Sequence, residues 1–149
     1  MLSWVFGASA VGKKHFILHA HQFDAKWNGY RPTAMADQPP SLQHLVRLSQ
    51  EYTNLLVRWQ WGREQLLVDL HDSHPHIEQS IVLITAKLRV HFRRASQREC
   101  GEKWPKSNLA HEARAVKSMA QEVGKQCSVS PIRIDTTHDS PELWEEKLL

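Results

Sequence analysis

WVFGASAVGKKHF, residues 4–16, is the stretch on which the reading of this chain turns. Gly7, Gly12 and Lys13 have the G-x-x-x-x-G-K spacing of a phosphate-binding Walker A loop. The run before it, residues 2–6, is short and apolar, with Val5 and the aromatic Trp4 and Phe6, and reads as a strand buried on both faces. After it, Phe16, Ile17, Ala20 and Phe23 recur at helical spacing and predict a helix over residues 13–23. A glycine loop between strand and helix is the context that gives the spacing physical meaning. Glycines let successive backbone N–H groups point inward, and the helix N-terminus adds partial positive charge toward an anion. The expected phosphate-contacting set is therefore Gly7, Ala8, Ser9, Ala10, Val11, Gly12, Lys13 and Lys14, with Lys13 reaching the β- and γ-phosphates. Lys14 stands where the motif has the hydroxyl residue that holds magnesium. A lysine cannot ligate a cation, so the metal's protein ligands are left unassigned.

The rest of the chain alternates. Residues 24–40 carry Gly29, Pro32, Pro39 and Pro40 and read as a long functional loop with room for a short irregular strand. Ser41 is the expected N-cap of a helix through residue 52. Residues 54–61, NLLVRWQW, predict a strand, and residues 63–72 a short helix. SIVLITA, residues 80–86, is the clearest buried strand. An arginine-rich helix over residues 88–99 follows, broken at residues 101–105. Leu109, Ala113, Val116 and Ala120 set a helix over residues 108–123, which Gly124 is expected to stop. A strand in SPIRIDTT (residues 130–137) and a helix in DSPELWEEKLL (residues 139–149), with Pro141 at its first position, complete the pattern. Such alternation predicts an α/β fold, a three-layer sandwich with a mainly parallel sheet between helices; with the Walker A spacing after its first strand it resembles the P-loop NTPase type. Residues 1–149 are expected to form one domain.

Composition excludes several classes. With 41% hydrophobic and 23% charged residues the chain has the balance of a globular protein, not a disordered one. No apolar run approaches the ~20 residues that span a bilayer. The first residues lack a basic segment and a long enough apolar core for a signal peptide, so no membrane partner and a cytoplasmic location are expected. Cys100 and Cys127 form no metal-type pair; two reduced thiols are expected, with a disulfide left open. The net charge of +3 is a weak bias toward phosphate-bearing partners. His71, His74 and His76 lack the carboxylate or thiolate partners of a known metal pattern and read as a solvated turn.

GASAVGKK (residues 7–14), IVLITAKLRVHFRRASQRE (residues 81–99) and IRIDTTHDSPELW (residues 132–144) together resemble the small P-loop kinases. That group phosphorylates nucleosides, nucleotides, sugars, shikimate or polynucleotide ends. The resemblance implies a lid over residues 88–107 whose R-x-x-x-R pair, Arg94 and Arg98, neutralises the transferred phosphoryl group. It also implies a loop after the last strand, with Asp135 and Thr136, lying beside adenine. Asp24 and Asp37 bracket the region where such kinases bind the acceptor, and either is a candidate general base. ATP and magnesium are the implied cofactors. The acceptor is a hydroxyl of a nucleotide, nucleoside or modified base in nucleic acid, with DNA among the candidate partners.

A Walker B acid is missing from its usual place. Gln60 occupies the end of the NLLVRWQW strand, and Asp69 in LLVDLHD falls in the expected helix. Trp27, Tyr30, Trp59 and Trp61 are candidates to stack on a base, and Arg31 and Arg63 to hold an acidic acceptor. Two other readings stay open: a non-catalytic nucleotide-binding protein with a degenerate Walker A loop, and a basic nucleic-acid-binding module. The oligomeric state is left undetermined.

Overall fold

A computed structural model describes residues 1–8, 11, 13, 16–17, 27–30, 41–59, 62–96 and 106–137. Five strands are present among them: β1 (Leu2–Phe6), β2 (Trp27–Tyr30), β3 (Asn54–Arg58), β4 (Gln79–Thr85) and β5 (Ile132–Asp135). The sheet order is β2-β3-β1-β4-β5, and every neighbouring pair is parallel. Four helices follow in chain order: α1 (Leu42–Glu51), α2 (Glu64–Ser73), α3 (Leu88–Ser96) and α4 (Lys106–Gln126). Lys13, Phe16 and Ile17 are also helical.

Parallel strands need crossovers on the faces of the sheet, so their side chains are buried on both sides. β1 shows this directly: all five residues are buried. Leu2, Trp4 and Phe6 join Leu55, Val57, Ile81 and Leu83 on one face, against Leu45, Leu67, Leu70, Val116, Ala120 and Val123 of α1, α2 and α4. Val5, Leu56, Val82, Ile84 and Ile134 form the opposite face, against Phe16, Ile17 and Val11. Helices therefore cover both faces, which is the expected three-layer α/β sandwich. No helix among the described residues is long and apolar enough to cross a membrane.

Most of the expected elements form where their physical signals lie. Ser41 caps α1 by accepting the His44 N–H at 3.1 Å, a bond worth about 1 kcal/mol. The LLVDLHD segment is helical in α2, and Asp69 lies exposed there, accepting from Gln65 Nε2 at 2.9 Å.

Three expectations are corrected. The stretch at residues 24–40 holds a regular strand: β2 pairs in parallel with β3 from Trp27↔Asn54 to Tyr30↔Val57. Pro and Gly content masked it, since a strand at the sheet edge tolerates both. The 54–61 strand ends at Arg58. Finally, Gly124 does not stop the last described helix, because α4 continues to Gln126. A Cβ on Gly124 would lie 2.4 Å from the Val129 carbonyl oxygen, so the glycine admits the returning chain instead of ending the helix. The expected helix at residues 139–149 lies outside the described residues.

Candidate phosphate site at the switch point of the sheet

Chain direction locates the site. From β1 the chain runs outward to β2 and returns through β3, whereas from β4 it runs the other way to β5. Neighbouring strands whose connections leave in opposite directions open a crevice beyond their carboxyl ends, where ligands of α/β sheets bind. Here that pair is β1 and β4, and the glycine loop leaves β1 into that crevice.

Gly7 begins the loop in a confined position. A Cβ there would lie 2.7 Å from Val11 Cγ1, 3.1 Å from Lys13 Cγ and 3.2 Å from the Ile84 carbonyl oxygen on β4. The backbone can hug the end of β4 only because no side chain intervenes. The Val11 N–H donates to Ala8 O at 3.3 Å, which closes a turn within the loop. Lys13 Nζ donates to Gly7 O, and to Ala8 O at 3.2 Å. The lysine expected to reach phosphates thus occupies the loop's own carbonyls.

Arg94, expected in the lid, enters from α3. Arg94 Nη1 donates to Val11 O at 2.7 Å and to Thr136 Oγ1 at 2.9 Å, while Nη2 donates to Thr136 O at 2.7 Å. Thr136 is 1% exposed. Its hydroxyl proton has two acceptors in reach, Val11 O at 2.9 Å and Thr85 O at 3.2 Å. The Thr136 N–H also donates to Thr85 O at 2.8 Å, extending the β4–β5 ladder by one rung. Asp135 Oδ1 accepts the Thr137 N–H at 2.9 Å and the Thr137 hydroxyl, an Asx-type turn that sets the chain's exit. That hydroxyl in turn accepts the Lys87 N–H at 3.0 Å.

The structure therefore brings together Gly7, Ala8, Val11, Lys13, Arg94 and Thr136, with Asp135 beside them. Ser9, Ala10, Gly12, Lys14, Asp24, Asp37 and Arg98 lie outside the described residues, as do Gln60, Trp61, Arg31 and residues 97–105 of the expected 88–107 lid. Sequence reasoning missed Thr85, whose carbonyl receives Thr136 twice. The available signal was its place at the end of the most continuous apolar strand. Trp59 is a correction: it is 1% exposed and stacks on Phe6, ring centroids 4.8 Å apart, so it supports the loop from below instead of receiving a base. Arg63 is the N-cap of α2.

The space a Cβ on Gly7 would fill is taken by the Val11 and Lys13 side chains and the Ile84 carbonyl of β4, so the loop keeps its close turn only with glycine there. Among the described residues no group of three or more His, Cys, Asp or Glu side chains could hold a metal ion. The strands flanking β1 end in Arg58 and Thr85, neither of them a carboxylate.

Solved structures with this architecture are known. The chain is similar to the tunicamycin resistance protein of Deinococcus radiodurans, with TM-score 0.67, 18% identity, and 99% of this chain and 92% of that chain covered. It is similar to YorR of Bacillus subtilis, in complex with phosphorylated GDP, at TM-score 0.63 and 13% identity over 99% and 93% of the two chains. It is also similar to the deoxyadenosine kinase of M. mycoides with bound dATP, at TM-score 0.59 and 9% identity over 99% and 98%. The chain has the fold of the small P-loop kinases. No family model and no curated protein matches it by sequence. The segments that meet around Val11 are the glycine loop after β1, helix α3 and the loop after β5.

Proposed function

We propose that this protein is an ATP-dependent kinase that transfers the γ-phosphate to a hydroxyl of a nucleotide, a nucleoside or a modified base in nucleic acid. One observation carries the reading. The glycine loop turns tightly at Gly7, where the Val11 and Lys13 side chains and the Ile84 carbonyl of β4 leave no room for a Cβ, at the switch point where an α/β sheet binds its ligand. Lys13 exchanges its loop carbonyls for the β- and γ-phosphates. Phosphoryl transfer is mostly positioning and charge neutralisation, so cations around the migrating group do most of the catalysis. Arg98 is the lid candidate for that task, and Asp24 or Asp37 the candidate base. Asp135 and Thr136 border the side where the nucleoside moiety lies. Two of the similar structures hold purine nucleotides, dATP and phosphorylated GDP, which supports a nucleotide as the ligand. Magnesium would come with ATP and would supply charge neutralisation at the phosphates; the described residues offer it no carboxylate cluster.

A second reading, nucleotide binding without transfer, is favoured by Lys14 in the hydroxyl position together with Arg58 and Thr85 at the flanking strand ends. Titration calorimetry with ATP, with and without magnesium, is the first test. A screen of hydroxyl acceptors with γ-labelled ATP, including nucleosides, nucleotides and DNA, is the second. Transfer of label to one acceptor class, lost in Lys13→Met, is the expected result. Tight binding unaffected by magnesium, with no turnover on any acceptor, leaves the non-catalytic reading standing and sinks the kinase.

A further inference from the structure

Resting on the phosphate-site reading above, we infer that Arg94 and Thr136 form a tether that sets the phosphate loop in its anion-binding shape before any ligand arrives. Arg94 is then a positioning residue and not a donor to the transferred phosphoryl group.

The geometry carries this. Both terminal nitrogens of the Arg94 guanidinium are occupied by protein acceptors at 2.7–2.9 Å. Those acceptors belong to two segments remote in sequence, the phosphate loop at Val11 and the post-β5 loop at Thr136. The Thr136 hydroxyl closes the triangle by reaching Val11 O at 2.9 Å. A planar trans peptide points its carbonyl and its N–H in opposite directions. The bonds from Arg94 Nη1 and the Thr136 hydroxyl hold the Val11 carbonyl in one orientation. A phosphate cradle needs fixed peptide orientations and would otherwise have to impose them at the cost of backbone entropy. Lys13 does the same for the two carbonyls at the start of the loop. The two devices hold opposite ends of one loop. They differ in that Lys13 leaves its carbonyls for the ligand, whereas the tether's bonds stay inside the protein.

The tether also links the two halves of a nucleotide site. Thr136 is held to Thr85 at the end of β4, and Thr137 to the Lys87 N–H that leads into α3. Ordering of the loop after β5 and ordering of the phosphate loop then become one event.

The test is a double-mutant cycle read as affinity for ATP and for inorganic tripolyphosphate. Arg94→Lys keeps the charge but loses the planar fork; Thr136→Val removes the hydroxyl; Thr136→Ser restores it. The tether predicts that R94K and T136V each weaken both ligands about tenfold. R94K/T136V should be no worse than about the weaker single variant, because the two act as a unit, and T136S should bind within about twofold of wild type. Wild-type affinity in T136V, or losses that multiply in the double variant, would overturn the tether while leaving the phosphate site intact. If R94K does not fold, the contrast between T136V and T136S decides alone. Failure of the wild-type protein to bind ATP or tripolyphosphate, or binding that survives Lys13→Met, overturns the phosphate-site reading and the tether with it.

Discussion

A methyl group on Gly7 would sit 2.7 Å from Val11 Cγ1 with the Ile84 carbonyl oxygen 3.2 Å away on its other side. Val11 is itself buried, so neither neighbour can withdraw cheaply. Gly7→Ala should therefore lower stability by about 1–3 kcal/mol. It should also weaken ATP binding at least tenfold, measured by thermal unfolding and calorimetry on the same sample. A mere turn glycine would lose neither. At Cys127 the residue-scale prediction concerns pH. Burial, with the Asp72 carboxylate adding to it, raises the thiol above its ordinary value of 9.0. The neutral thiol is thus favoured in the folded chain, and the unfolded chain releases its proton first as pH rises. That contribution to stability is complete below the ordinary value and is lost progressively as pH climbs toward the folded one. Unfolding free energy measured from pH 7 to 10 should fall less steeply in Cys127→Ala than in wild type. Parallel slopes would contradict the burial of the thiol. The tight turn at Gly7 was legible at this scale because backbone geometry dictates its residue type. The partners of Arg94 were not, since an R-x-x-x-R spacing describes one helix and says nothing of Val11 or Thr136.

The end of α4 shows how one residue type can carry two meanings. After Gln126 the chain reverses through Ser128, whose φ of 57° is left-handed. Ser128 N–H donates to Lys125 O at 3.4 Å and Val129 N–H to Gly124 O at 2.8 Å, the bond pattern of a Schellman motif. Such motifs place glycine at the left-handed position, yet here that position holds serine and the glycine lies earlier, under the returning strand. Two substitutions should then act with opposite signs. Ser128→Gly relieves the left-handed strain and should stabilise by about 0.5–1 kcal/mol after the extra entropy of the unfolded chain. Gly124→Ala adds a Cβ 2.4 Å from the Val129 carbonyl oxygen and should destabilise by about 1–3 kcal/mol despite the better helix propensity of alanine. Denaturant melts of both variants check the pair. Stabilisation by Gly124→Ala would mean that the reversal does not pack there. The sequence carried a signal for this continuation: the apolar stripe of Val116, Ala120 and Val123 extends to buried Cys127, one turn beyond the glycine that appeared to end it. Local punctuation and helical period disagreed, and the packed face decided.

Across the whole molecule, alternation of strands and helices revealed the layers but not the strand order. Order depends on which crossovers reach which edge, and no local pattern encodes that. The order matters for function because it puts the turnaround between β1 and β4, so that segments from β1, β4, β5 and α3 converge at one end of the sheet. A ligand seated there bridges elements from both ends of the chain and should stabilise the fold as a unit. At an ATP concentration about 100 times Kd, linkage gives about 2.7 kcal/mol. For a chain of this size that corresponds to a rise in Tm of about 5–10 °C. Lys13→Met should melt near the wild-type temperature without ligand, apart from the loss of its bonds to the loop carbonyls, and should lose most of the ATP-induced rise. Adenosine, which lacks phosphates, should produce little shift in either protein, whereas tripolyphosphate should shift wild type alone. A rise with adenosine equal to that with ATP would place the dominant contacts on the base side and away from the Gly7 loop. The ligand series thereby measures which part of the carboxyl edge supplies the binding energy, with melting temperature as the common scale.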